Sequence, residues 1–177
     1  MGKQYKSLTK KNIEFIKEQK LFYIASSSGQ EVNLSPKGLD SIRVIDENLL
    51  VFKNYLGSGN RTHRDAVADG EFTLVFNAFE GKAMILRLFC KADIIGRDNN
   101  KFEKYLELFS DKKNFVRDFF DFHIYAVESS CGDGVPYMEY KGEREELKSW
   151  MKRLDKKDKI EEYKEGHFTP PSLENLE

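Results

Sequence analysis

A mainly β fold with α additions, most simply a β-barrel, is what this chain of 177 residues predicts, and three observations predict it. Short runs of β-branched and aromatic residues recur from residue 21 to 95, broken by polar or glycine-containing segments. Four such runs crowd into residues 21–54, which leaves no room for the crossovers of about a dozen residues that a parallel sheet needs. The length suits a single core, since one domain occupies roughly 100–200 residues.

Thr9 predicts the cap of a first helix reaching Lys20, with Leu8 and Ile13 placed for a hydrophobic staple. The period changes at Leu21, and Leu21 to Ser26 predicts a strand closed by Ser28-Gly29. A second extended run, Val32 to Ser35, is expected to end at Pro36, because proline lacks the N–H that a ladder requires, leaving Pro36-Lys37-Gly38 as a loop. Ser41 to Ile45 and Leu49 to Lys53 flank the polar break Asp46-Glu47-Asn48, a hairpin pattern. Arg61 to Asp69 predicts a short helix ended by Gly70. Strands follow at Phe72–Phe79 and Ala83–Ile95, the second long enough to bend.

Apolar residues then recur at spacings of three and four, first Phe102, Tyr105, Leu106 and Phe109, then Phe115, Val116, Phe119 and Phe120. That spacing predicts two amphipathic helices, whose aromatic stripe serves a core or a dimer contact. Phe122 to Val127 alternates, putting Phe122, Ile124 and Ala126 on one side and His123, Tyr125 and Val127 on the other. Val135 to Tyr140 is the last strand candidate. Composition shifts at Gly142: 16 of the 25 residues from 142 to 166 are charged, yet Leu147, Trp150, Met151 and Leu154 share one helical stripe that can dock. The organisation expected is a body of residues 1–141 and an appendage, 142–177, of charged helix and extended tail packed on the same domain.

Charge and composition narrow the functional classes. With 29 basic against 30 acidic side chains there is no global positive field, so nucleic acid is not an expected partner. No run approaches the ~18 apolar residues of a bilayer span, and no apolar core follows the initial Met1-Gly2-Lys3 as in a signal peptide. A cytoplasmic protein without membrane contact is expected. Cys90 and Cys131 stand outside any ligand cluster and are expected to be reduced. His63, His123 and His167 lack metal-ligand spacing, and no metal is assigned. Hydrolase and nucleotide-binding signatures are missing, so any reactivity is expected to come from a cofactor.

The most informative stretch runs from Leu50 to Thr62, a strand followed by a glycine-bracketed turn. Gly57 and Gly59 let backbone N–H groups approach an anion, Ser58, Asn60 and Thr62 offer neutral donors, and Arg61 offers positive charge. The competing interpretation is a flexible turn capped by Asn60. One hairpin away, Asn33-Leu34-Ser35-Pro36-Lys37-Gly38 forms a second polar loop whose Lys37 can meet the same anion, or can sit on a plain surface turn. Arg87, inside an apolar strand, is expected to make a structural pairing.

Those two loops, together with Phe76-Asn77-Ala78-Phe79-Glu80-Gly81 and Ile85-Leu86-Arg87-Leu88-Phe89-Cys90, resemble the pyridoxamine 5′-phosphate oxidase-related FMN-binding family. Ser130-Cys131-Gly132-Asp133-Gly134-Val135-Pro136 is similar to a segment of one branch of it. The resemblance implies a split β-barrel, a homodimer, and one FMN at each of two equivalent sites in the subunit interface. By that resemblance Asn33, Ser35, Pro36, Lys37, Lys53 and Asn54 line the flavin ring and ribityl chain, and Ser58, Gly59, Asn60, Arg61 and Thr62 hold the phosphate. One departure stands out. The oxidases themselves resemble one another in an Arg/Lys pair after the strand end and in a carboxy-terminal Arg-x-His motif, whereas here Arg61 is the one cation of the turn and no arginine follows Arg153. The vitamin B6 oxidase reaction is therefore not carried over. What remains is an FMN-dependent oxidoreductase of unknown substrate, with a non-catalytic flavin-sensing module or a haem-binding member of the same superfamily as alternatives.

Overall fold

The structure, a computed structural model, describes residues 2–174. Eight antiparallel strands form one sheet: β1 (Lys3–Tyr5), β2 (Phe22–Ser27), β3 (Asn33–Lys37), β4 (Ile42–Val44), β5 (Leu49–Tyr55), β6 (Glu71–Asn77), β7 (Ile85–Ile95) and β8 (Val116–Ser130). Their order is β3-β2-β6-β7-β8-β5-β4, with β1 added on β8. β2 and β5 are four strand spacings apart along that order, about 19 Å in a flat sheet. Yet the rings of Phe22 and Phe52 are 6.0 Å apart, so the sheet is curled into a half-barrel. The interior is filled by Phe22, Ile24, Phe52, Phe72, Leu74, Phe76, Leu88, Phe120 and Phe122, all buried. The expected mainly β fold with α additions is present. No described helix is long and apolar enough to cross a membrane.

The first helix, α1 (Lys10–Glu18), is capped by Thr9, whose hydroxyl accepts from Asn12 N–H while the Asn12 side chain accepts from Thr9 N–H. α2 (Arg61–Val67) stops earlier than expected. Asp69, not Gly70, is the left-handed residue, with φ 51°. Gly70 is needed for another reason, since a Cβ there would lie 2.6 Å from the Ser27 carbonyl oxygen and 2.7 Å from that of Asp65.

Four other expectations are corrected. β3 continues through Pro36 to Lys37, which it can do because β3 is an edge strand and the missing N–H costs no ladder bond on its open side. The second predicted aromatic helix is instead a 3-10 turn, Lys113–Phe115, followed by the start of β8. That part of β8 is buried on both faces, Phe120 and Phe122 in the barrel and Val116 and Phe119 beneath α3 (Phe102–Phe109), so alternation is lost and the residue spacing mimics a helix. A register shift opposite Phe89 and Cys90 reverses the alternation at Tyr125, so Val127, not Ala126, is the buried residue. Val135 to Tyr140 forms no strand; Tyr137 is 86% exposed.

The charged segment contains two helices rather than one, α4 (Glu146–Lys156) and α5 (Ile160–Gly166). Met151 and Ile160 are buried against Leu56 and Phe115, and Leu147, Trp150 and Leu154 pack around them. The stripe therefore docks beside the end of β5. Beyond it, residues 167–174 form turns and bends without helix or strand, and positions 175–177 of the expected tail lie outside the described residues.

Candidate functional site

Between β3 and β5 the half-barrel stays open, and a cavity of 440 Å³ fills the gap. All eleven residues singled out from the sequence line it: Asn33, Ser35, Pro36 and Lys37 from β3, Lys53 and Asn54 from β5, and Ser58, Gly59, Asn60, Arg61 and Thr62 from the turn into α2. A wider cavity of 560 Å³ adjoins it through Gly38 and Ser41 and contains none of those eleven side chains.

The β3 wall follows from strand alternation. Asn33, Ser35 and Lys37 turn inward, while Leu34 and Pro36 face out. Asn33 Nδ2 donates to Ser26 Oγ at 3.1 Å and to Thr62 Oγ1 at 3.2 Å. Ser26 Oγ in turn donates to Asp65 Oδ2 at 2.6 Å, and Ser28 Oγ donates to Asp65 Oδ1 at 2.8 Å. Asp65 is fully buried in α2 and also binds Arg64, so one polar chain ties α2 and the turn before it to β2 and β3. Lys37 has no such tie. Its ammonium lies 5.8 Å over the Phe52 ring with no carboxylate partner among the described residues, and burial pulls its pKa below the ordinary lysine value.

On β5 the situation is reversed. Lys53 is 2% exposed, pairs with Asp111, and lies 4.6 Å over the Tyr55 ring and 4.8 Å over the Phe109 ring. The Tyr55 hydroxyl donates to the same Asp111 oxygen at 2.7 Å. Burial pushes the Lys53 pKa down and Asp111 pushes it back, while burial and Asp111 together drive the Tyr55 phenol far above its usual range. Asn54 donates to Asp118 Oδ1 at 2.8 Å, and Asp118 Oδ2 is 3.0 Å from His63 Nδ1.

The turn forms the third wall. Beta carbons added to Gly57 or Gly59 would meet open space, so both face the cavity unobstructed. Arg61 is engaged: Nε donates to Glu31 Oε1 at 2.8 Å and Nη2 to the Pro171 carbonyl at 2.9 Å. Glu31 also takes Arg64 at 2.7 Å, and the two guanidiniums, Arg64 first, hold its carboxyl at about 2. Asn60 does not cap α2. Its Nδ2 donates to the Phe168 carbonyl at 2.6 Å, and its buried Oδ1 has no partner among the described residues.

Sequence reasoning missed Arg117 on β8. Its Nη2 donates to the Gly57 carbonyl at 2.9 Å and its Nη1 to the His167 carbonyl at 3.4 Å, and its buried Nε is unpartnered among the described residues. A second cation thus stands behind the glycine turn, with its pKa lowered by burial. A charged residue within the apolar run around Val116 and Phe119 was the available signal. Arg87 makes the expected structural pairing, to Ser130 Oγ at 3.1 Å and Glu128 at 3.4 Å.

A half-open antiparallel barrel with a polar cavity at its split defines the class, that of split-barrel proteins. No family model matches the sequence. The Aspergillus flavus pyridoxamine 5′-phosphate oxidase family protein ustO is 29% identical over 140 residues, which cover 76% of this chain. The match spans only 56% of the length of that curated relative. A Lactobacillus delbrueckii structure, provisionally assigned as a pyridoxamine 5′-phosphate oxidase, aligns with a TM-score of 0.55 at 17% identity, over 70% of this chain and 94% of that one. The Group A Streptococcus HupZ structure aligns at 0.57 and 17% identity, over 68% of this chain and 91% of its own. The chain is thus similar in sequence to a pyridoxamine 5′-phosphate oxidase family protein and shares the fold of these solved structures, as its ordered motifs led us to expect.

Proposed function

We propose that the cavity between β3 and the 57–62 turn binds FMN and that the protein is an FMN-dependent oxidoreductase. One observation carries this reading: residues read separately as an anion turn and a polar loop meet in one cavity, and Lys37 among them is half-buried without a counter-ion among the described residues. The residues present fit the group. The cavity falls within the ~300–1,000 Å³ usual for ligand sites. Its rim combines hydroxyls at Ser58 and Thr62, two glycines with open space above them, and the Lys37 charge, and it has an apolar side at Phe52 and Leu56. Lys37 would neutralise part of the phosphate, while the groups around Ser35 would address the polar edge of the ring. The flavin would supply the hydride or electron transfer. Native protein should release FMN detectable by mass spectrometry, and apoprotein should quench FMN fluorescence on titration; a colourless protein that takes up no FMN defeats the reading.

The same reading takes residues 142–177 as an appendage of one cofactor-binding body, and makes the molecule a homodimer whose partner helps cover the cavity. Val32 and Leu34, 73% and 62% exposed beside the inward-facing Asn33, supply apolar surface for that contact. A monomeric mass by light scattering would refute the dimer.

A second reading, flavin binding without turnover, is favoured by the engagement of the site's ionisable groups. Among the described residues lining the cavity, Lys53, Tyr55 and Arg61 all have carboxylate partners, which leaves Lys37 alone free. Oxidation of NAD(P)H or of a screened small molecule by the holoprotein decides for the enzyme.

A further inference from the structure

Three side chains around the glycine turn spend donor groups on the backbone of one carboxy-terminal segment. Asn60 Nδ2 meets the Phe168 carbonyl at 2.6 Å, Arg61 Nη2 the Pro171 carbonyl at 2.9 Å, and Arg117 Nη1 the His167 carbonyl at 3.4 Å. The start of the segment carrying these oxygens is tied back to α5, His167 stacking on Tyr163 and donating its N–H to the Tyr163 carbonyl, and Phe168 N–H donating to the Glu165 carbonyl. The segment follows α5 without regular structure, Phe168 is 57% exposed although its ring edge meets His63 at 5.2 Å, and Pro170 and Pro171 remove two N–H donors. The donors have the opposite character. Asn60 is 3% exposed, and among the described residues Arg117 has only carbonyl oxygens as hydrogen-bond partners and a buried Nε with none. Neutral carbonyls answer cationic donors more weakly than an ionised oxygen does, because charge-assisted hydrogen bonds are roughly twice as strong.

We propose that residues 167–171 are a strap whose carbonyl oxygens hold the places of phosphate oxygens, so that a phosphate-bearing ligand and the strap compete for Asn60, Arg61 and Arg117. This regulation rests on the reading of the turn as a phosphate site. It restores the second cation that the turn lacks in sequence, since a displaced strap leaves Arg117 to the anion. Competition of this kind lowers apparent affinity by the fraction of molecules with the strap released.

The test uses full-length protein, inorganic phosphate and FMN titrated separately, and hydrogen exchange of the peptide spanning 167–174. Phosphate should increase exchange in that peptide. Phe168→Ala, which removes an exposed ring and leaves the donors untouched, should tighten the phosphate Kd about five-fold by raising the released fraction. Unchanged or slower exchange on adding phosphate, or a Kd that is unaltered or weaker in the variant, would show a fixed wall and overturn the proposal. Phosphate binding with strap release but no FMN binding would sink the flavin reading and leave the strap standing. Failure of both ligands to bind either protein overturns both.

Discussion

The two long walls of the cavity solve the same problem, a lysine beside a phenylalanine, in opposite ways. On β5, Lys53 is almost wholly buried and fully answered: Asp111 takes its charge and two aromatic rings cover it. On β3, Lys37 is half-buried over the Phe52 ring and answered by no described carboxylate. A buried charge that the chain itself neutralises is part of the fold, because removing the partner would leave a costly unpaired ion. A partly desolvated charge that the chain leaves open carries a cost in the empty protein, and a ligand anion relieves that cost on binding. The difference separates two residues that are alike in the sequence, each a lysine in a polar strand end. On the proposed reading, Lys53 belongs to the scaffold and Lys37 to the ligand.

The largest effect expected from this contrast is on stability. Asp111→Ala should destabilise the protein by about 3–5 kcal/mol at neutral pH, as for breaking other buried pairs. Equilibrium denaturation measures it, and Lys53→Met in the same chain should recover most of the loss. The sign with pH is fixed: without Asp111 the folded pKa of Lys53 falls further below its unfolded value. The penalty is thus fully present below the folded pKa and fades as pH rises toward 10.5. An Asp111→Ala protein as stable as the parent would erase the distinction between the walls.

Lys37→Met should do the converse. Stability should hold or rise slightly, since an unanswered charge is removed, while FMN affinity should fall about ten- to a hundred-fold, the range of a hydrogen bond to a charged group. Fluorescence titration beside a melting curve reads both, and loss of stability without loss of affinity would return Lys37 to the scaffold. The pH dependence sharpens the point. Burial depresses the Lys37 pKa, so the ammonium that meets phosphate is lost on the acid side of 10.5. Affinity measured above pH 8, where the phosphate is already dianionic, should decline with rising pH in the parent and stay flat in Lys37→Met.

Most elements that lie half in the core were legible because one face is apolar: the Thr9 cap, the 42–55 hairpin and the Phe102 to Phe109 helix all stand near their expected places. The start of β8 was not. Phe119 and Phe120 are both buried on opposite faces, and a strand covered on both sides carries no alternation to read. The cavity's contents were legible for a different reason, since glycines, hydroxyls and cations cluster locally in the two loops that form it. Its reinforcement was not. Asp111, Glu31 and Arg117 lie 58, 30 and 60 residues from their partners Lys53, Arg61 and Gly57, and only the pairing and connection of the strands bring them together. The strap is harder still to foresee, because its contacting atoms are backbone carbonyls, which every sequence possesses.

The smallest expected effect falls on the link between the walls. Asn33 sits on the same strand as Lys37, yet its amide is committed to Ser26 and Thr62, which makes it a tie rather than a ligand group. Asn33→Ala removes two neutral hydrogen bonds and leaves Ser26 still donating to Asp65, so the loss should be about 1 kcal/mol, the usual worth of such bonds. FMN affinity should follow only through a loosened Thr62, by less than the effect of Lys37→Met. If Asn33→Ala instead weakens FMN binding as much as Lys37→Met while stability stands unchanged, the amide belongs to the ligand. The whole inward face of β3 would then be a binding surface, and the contrast between the walls would be one of strands rather than of single charges.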